Sequence, residues 1–262
     1  MFKVIAITNQ KGGVGKTTTS VNLAASLGAA KRRVLLVDLD PQGNATMGSG
    51  INKAEVERSS YDVLVDSIDI RQAIMPAPDA GYAVIPSNAD LTAAEVHLLD
   101  VSNREHRLQT ALASIAQDYD YVLIDCPPSL NMLTVNALVA AHSVLIPVQC
   151  EYYALEGLSA LMDTVTKIRT TLNPKLAIDG LLRTMYDPRN NLAVQVTEQL
   201  SKHFGDQLYK TVIPRNVRLA EAPSHGMPIL SYDRGSRGSR AYVELARELL
   251  RRHDKTKVVA AV

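Results

Sequence analysis

The chain has 262 residues, 46% hydrophobic and 21% charged, and a formal net charge of +1. That composition is ordinary for a globular protein, and the length is enough to bury a full core as one large α/β domain or two small ones. No apolar run approaches a bilayer span, the first residues lack a signal-peptide pattern, and Cys126 and Cys150 form no CxxC pair, which excludes a zinc or disulfide framework and reads as a reduced, cytoplasmic protein.

In chain order, a strand is expected at Lys3–Thr8, and it runs into Gln10-Lys11-Gly12-Gly13-Val14-Gly15-Lys16-Thr17-Thr18 ahead of a helix over 17–30. A buried strand breaking into a glycine-rich turn and a helix surrounds an anion with backbone N–H groups. Lys16 adds a point charge for the outer phosphates and the Thr17 hydroxyl suits magnesium. The first glycine of the ordinary phosphate loop is replaced by Gln10, and a second lysine, Lys11, lies inside the loop. A purely structural glycine turn is the alternative, and the strand–turn–helix context argues against it.

The next strand, expected at Arg33–Leu39, leads into Asp38-Leu39-Asp40-Pro41. Alternation places Asp38 and Asp40 on one side of a strand end near the phosphates, where they could hold magnesium through water and orient an attacking water. Asp-Pro is also an ordinary way to leave a strand, which accounts for Asp40 but not for Asp38. Region 40–80 is rich in turn residues and reads as loops and short helices. Further strands are expected at Tyr82–Pro86, Tyr121–Cys126, Ser143–Val148, Leu176–Met185 and Leu208–Ile213. Helices are expected over 92–118 in two pieces, 131–141, 154–172, 192–204 and 237–252. This alternation predicts an α/β fold: a doubly wound, mostly parallel sheet with helices on both faces, ligands at the strands' carboxyl ends, and one domain over 1–262. Four apolar residues ending in Asp125 have the form of the magnesium-associated carboxylate of phosphate-loop NTPases, or of a loop-capping aspartate.

Charge is unevenly distributed. Residues 183–262 hold 14 Lys and Arg against 8 Asp and Glu, whereas 1–182 hold 14 against 19. Such asymmetry suits a polyanion, or simply solvated helix faces.

Together these segments resemble the ParA/MinD family of deviant Walker A ATPases, a deviant P-loop NTPase fold, and in particular its ParA-type (Soj-like) chromosome and plasmid partitioning branch. The likeness rests on 11–18, on Asp-Leu-Asp-Pro-Gln-Gly-Asn at 38–44, on Asp-Cys-Pro-Pro-Ser at 125–129, and on the segments 147–157 and 213–224. The helix-turn-helix domain that precedes the ATPase in larger plasmid relatives is not expected, because the first strand begins at Lys3. The resemblance implies ATP and Mg2+ as cofactors and hydrolysis of ATP to ADP and phosphate. Lys11 would reach across a two-fold interface to the partner's nucleotide, with Gly12 and Gly13 allowing close approach. Gly15, Lys16, Thr17 and Thr18 would hold phosphates, Thr17 also touching magnesium. Asp40 would position the hydrolytic water, and Asp38 and Asp125 would support the metal. Pro214 and Asn216 would pack on and hydrogen-bond adenine. The ATP-bound homodimer would grip double-stranded DNA without reading its sequence, through Arg189 and Arg218 and then Arg215, which could instead belong to the nucleotide pocket. A ParB-like centromere-binding partner would stimulate hydrolysis, and the protein would be nucleoid-associated.

Three other readings share the loop. A MinD-like membrane-surface ATPase would end in an amphipathic helix, but the tail beyond a helix ending near 252 is short and lacks a bulky apolar face. A small-acid kinase would need a further catalytic cluster, and the six histidines have no metal-ligand spacing. A cluster carrier would need surface cysteine pairs.

Overall fold

The computed structural model describes residues 2–78 and 80–260. Its frame is an eight-stranded sheet in the order β3-β4-β2-β5-β1-β6-β7-β8. The strands are β1 (Lys3–Ile7), β2 (Val34–Asp38), β3 (Met75–Pro76), β4 (Ala83–Ile85), β5 (Tyr121–Asp125), β6 (Ser143–Gln149), β7 (Ala177–Tyr186) and β8 (Leu208–Pro214). All neighbouring pairs are parallel except β3 with β4. The helices are α1 (Lys16–Ala29), α2 (Asn44–Gly48), α3 (Leu91–His97), α4 (Arg107–Ala113), α5 (Met132–Ala140), α6 (Ala154–Thr171), α7 (Asn191–Phe204), α8 (Val217–Glu221), α9 (Ile229–Tyr232) and α10 (Arg237–Ala260).

The central strands are apolar throughout because both faces are covered. Ile5, Ile7, Leu36, Leu123 and Leu145 point toward α1 and α10, where they meet Leu23, Leu27, Tyr242, Leu245 and Leu249. Val4, Ala6, Leu35, Val37, Val122, Ile124, Val144 and Ile146 alternate to the other face and pack with α3 to α7 through residues such as Leu91, Leu112, Leu133, Leu158 and Leu200. The doubly wound layout expected from the sequence is thus present. It brings the ends of β1, β2 and β5 side by side, with Ile7, Asp125 and Asp38 in register.

Several details differ from expectation. The two-residue strand β3 and the helices α8 and α9 lie in segments too short to carry a periodic signal. The second helical piece of 92–118 ends at Ala113, and turns complete that segment. The last helix does not stop near 252 but runs to Ala260. His253 explains the continuation: its ring stacks on Tyr121 and bonds the buried Asp179 carboxylate 2.7 Å away, so this turn is anchored to the sheet. Among the described residues no helix is long and apolar enough to cross a membrane.

Candidate nucleotide site

The loop between β1 and α1 is shaped by its own side chains. Asn9, buried, donates to the Pro147 carbonyl at 2.8 Å and accepts the Lys11 N–H at 3.0 Å, so the turn starts in a set direction. Gly13 and Gly15 have φ of 72° and 86°, a left-handed backbone that a side chain would strain, and Gly15 is the residue from which α1 begins. No side chain caps α1 at this end, so the first N–H groups of the helix are left for a ligand. Lys16 is buried and arches back over the loop, its Nζ 3.3 Å from the Lys11 carbonyl. Burial pulls its pKa down, partly offset by Asp125, Cys126 and Asp40.

A cavity of about 450 Å3 opens above this loop. Its walls are Gly12, Gly13 and Gly15 to Thr18, then Asp40 and Asn44, Pro128, the β7 residues Thr184 and Met185, Ile213 to Asn216, and Tyr242. Residues expected to hold phosphates and those expected at adenine therefore face one space. Asn216 Oδ1 caps α8 by accepting the Leu219 N–H at 3.1 Å, which leaves its amide Nδ2 to donate. Arg215 lines the cavity too, in keeping with the second of its two expected places.

The acidic residues separate into two kinds. Asp125 Oδ2 accepts from Thr17 Oγ1 and Oδ1 from Ser20 Oγ, both at 2.8 Å. Asp38 accepts from Thr46 N and Oγ1, each at 2.8 Å, and from Asp40 N at 3.1 Å. Both carboxyls are fully buried and lie on neighbouring strands, so burial raises their pKa values, and the Asp38 charge adds to the rise at Asp125. Asp40 alone of the three lines the cavity. The expectation that Asp38 and Asp40 lie on the same side of the strand end, both near the phosphates, is corrected here. β2 ends at Asp38, the chain turns, and Asp38 faces α2 rather than the open space.

Lys11 does not line the cavity in the single chain; its Nζ makes an ion pair with Glu151 Oε2 at 2.7 Å. Its place within the loop does not by itself direct it to its own subunit's ligand. Arg189 and Arg218 are also engaged within the chain, Arg189 with Asp187 at 2.7 Å and Arg218 with Glu221 at 2.9 Å. Thr184, Met185 and Tyr242 were not expected at the site. The first two stand at the carboxyl end of a strand, the position where such folds bind ligands, whereas nothing in the sequence marks Tyr242.

The donor set suits magnesium. This ion keeps most of its waters and takes one or two protein oxygens beside the substrate phosphates. A hydroxyl at Thr17 backed by Asp125 meets that need, and the described residues contain no cluster of His, Cys, Asp and Glu that would form an all-protein cage.

Fold and site together define a phosphate-loop nucleoside triphosphatase. A family model described as an AAA domain matches residues 2–178. The sporulation initiation inhibitor protein Soj of Bacillus subtilis is 58% identical across 95% of this chain and 98% of its own length. The chromosome partitioning protein ParA of Caulobacter vibrioides is 50% identical across 99% and 98%. A Mycobacterium smegmatis structure, described as cobyrinic acid a,c-diamide synthase with bound ADP and magnesium, is 38% identical over 97% of this chain and 96% of that one, with a TM-score of 0.84. The chain belongs to the ParA/MinD family of ATPases, among relatives that carry Soj and ParA partitioning names.

Proposed function

We propose that this protein is an ATP-driven partitioning switch. Mg-ATP fills the cavity, two loaded subunits close face to face, the dimer grips double-stranded DNA nonspecifically, and a ParB-like partner triggers hydrolysis and release. The whole chain acts as one ATPase unit, cytoplasmic and associated with the nucleoid.

The observation that carries this reading is the position of Lys11. It stands outside its own cavity, on a loop whose Gly12 has open space where a side chain would be. Leu130, Tyr152 and Tyr153 are exposed apolar residues, and the two tyrosines directly follow the Glu151 that pairs with Lys11. A loop lysine, a bare glycine and exposed apolar side chains beside the lysine's own partner suit a second copy of the chain.

The chemistry follows from the same residues. Phosphoryl transfer needs positioning and charge neutralisation more than covalent help. Lys16 and the loop N–H groups would hold the β- and γ-phosphates, while Thr17, steadied by Asp125, offers an oxygen to the metal. Bound magnesium supplies charge neutralisation on the phosphate oxygens. Asp40 would orient water in line with the leaving group, and Lys11 from the neighbour would add positive charge that neither subunit brings to its own nucleotide. In related systems a charge supplied in trans raises the rate by roughly 10³–10⁵. The internal pairing of Arg189 and Arg218 leaves them half or more exposed, so both remain available to a phosphate backbone.

The test is DNA binding with ADP, ATP and a nonhydrolysable ATP analogue at two salt concentrations. The switch requires tight binding only with ATP or the analogue, similar affinity across sequences, and a steep loss with salt. Equal binding with ADP would overturn it, and ATP-dependent co-sedimentation with liposomes would favour a MinD-like role.

A further inference from the structure

We propose that Thr184 is a positioning residue of the phosphate loop, its hydroxyl turning the Gly15 N–H into the nucleotide cavity. The inference rests on the nucleotide reading of that cavity. Thr184 lies near the carboxyl end of β7, is buried, and pairs in register with Gln149 of β6. Its Oγ1 donates to the Val14 carbonyl at 2.8 Å, a contact between residues 170 apart in sequence. The Val14 carbonyl and the Gly15 N–H belong to one planar peptide, which is trans, so they point in opposite directions. Holding the carbonyl toward β7 therefore sends the N–H the other way.

The cavity walls agree with that direction. Gly15 lines the cavity and Val14 does not. The Thr184 methyl lies 3.7 Å from where a Cβ on Gly15 would stand, so the same side chain also occupies the space beside Gly15. A glycine at φ 86° has few steric restraints of its own. The anchor that selects one orientation of this peptide thus comes from a strand two places away in the sheet from β1. Two residues further along β7, the Tyr186 carbonyl accepts the Arg215 N–H at 3.4 Å, and Tyr186 is in register with Pro214. One strand end touches both the loop for the phosphates and the segment at the other end of the cavity.

Two variants separate orientation from packing. Thr184→Val keeps the shape and removes the hydroxyl, leaving the Val14 carbonyl without its donor; Thr184→Ser keeps the hydroxyl and removes the methyl. Calorimetric titration should show Mg-ATP and Mg-ADP binding to Thr184→Val weakened about tenfold, the size of one net hydrogen bond, with Thr184→Ser within about threefold of the parent. In the nucleotide-free proteins, hydrogen exchange over residues 12–16 should accelerate in Thr184→Val and stay near the parent's in Thr184→Ser. A Thr184→Val protein that binds and exchanges like the parent would overturn the assignment, and so would a Thr184→Ser protein that loses as much. Failure of the parent itself to bind Mg-ATP would strike the nucleotide reading, and the exchange measurement on nucleotide-free protein would still decide the role of Thr184.

Discussion

Lys11 Nζ and Glu151 Oε2 lie 2.7 Å apart, joining the loop after β1 to the segment before α6, with side chains 36% and 46% exposed. An ion pair this open contributes about 0–1 kcal/mol, because water and salt screen it. It can therefore hold Lys11 in one place in the single subunit without preventing its transfer to a partner. Glu151→Gln should change folding stability by less than about 1 kcal/mol in chemical denaturation. Lys11→Ala should be equally benign to the fold, yet lower DNA- and partner-stimulated ATP turnover by at least about 10²-fold, as loss of a charge supplied in trans does. Full stimulated turnover in Lys11→Ala would remove the lysine from the mechanism.

Gly12 shows where a side chain would be felt. A Cβ built on it meets nothing within 4 Å in the single chain. Gly12→Val should therefore fold with stability within about 1 kcal/mol of the parent and bind Mg-ATP. Sedimentation in Mg-ATP should find it monomeric, since a branched side chain would stand where two loops meet. A normal ATP-dependent dimer of this variant would place the interface elsewhere.

Asp40 and Asp38, two residues apart, should behave differently when cut to alanine. Asp40 faces the cavity, so Asp40→Ala should bind ATP, lose about 10²–10⁴-fold in hydrolysis, and accumulate as DNA-bound dimer. Asp38 accepts three hydrogen bonds in a buried site, so Asp38→Ala should cost about 2–4 kcal/mol of stability by stranding their donors. Thermal unfolding and single-turnover hydrolysis on the two variants distinguish these outcomes.

Arg189 and Arg218 carry intramolecular partners in Asp187 and Glu221, and a DNA phosphate would have to compete with those carboxylates. Arg189→Glu or Arg218→Glu should weaken ATP-dependent DNA binding about tenfold or more and lower the salt slope by about 1, while dimerisation in ATP is kept. Fluorescence anisotropy across a salt series reads both quantities.

At the opposite end of the sheet, the buried Asp179 accepts from His253 Nε2, Tyr209 Oη and Ser143 Oγ. Burial alone would raise its pKa, but the hydrogen bonds from His253 and Tyr209 and the His253 charge together hold it below the usual carboxylate range. A depressed carboxyl pKa stabilises the fold above the unfolded value, and that contribution is lost as pH falls through the lower folded value. Asp179→Asn should lower stability at pH 7 by about 2–3 kcal/mol and flatten its fall below about pH 4. Denaturation midpoints at pH 7 and pH 3 check both effects.

The motifs that carry chemistry were legible because each is local. The loop at 10–18 is one turn after one strand, and Asp125 closes one apolar run. Alternation of strand and helix was equally legible, since Val-, Ile- and Leu-rich runs on both faces of a strand have no other use in a chain of this composition. Short pieces were not: β3, α8 and α9 span two, five and four residues, below the length at which periodicity distinguishes them from turns. The end of α10 was misplaced because the docking of His253 depends on Asp179 and Tyr121, which sequence spacing does not relate to it.

By itself the sequence determined the glycine-rich loop with Lys16 and Thr17, the strand ending in Asp125, the family likeness and the parallel sheet that displays them, because backbone period and glycine-rich turns are short-range properties. Only the tertiary structure decided which side chains meet. It enclosed Asp38 while leaving Asp40 at the cavity, paired Lys11 with Glu151, and brought Thr184 of β7 onto Val14. Those contacts join residues 140 and 170 apart for Lys11 and Thr184, and they follow from strand order, which no local pattern of residues encodes.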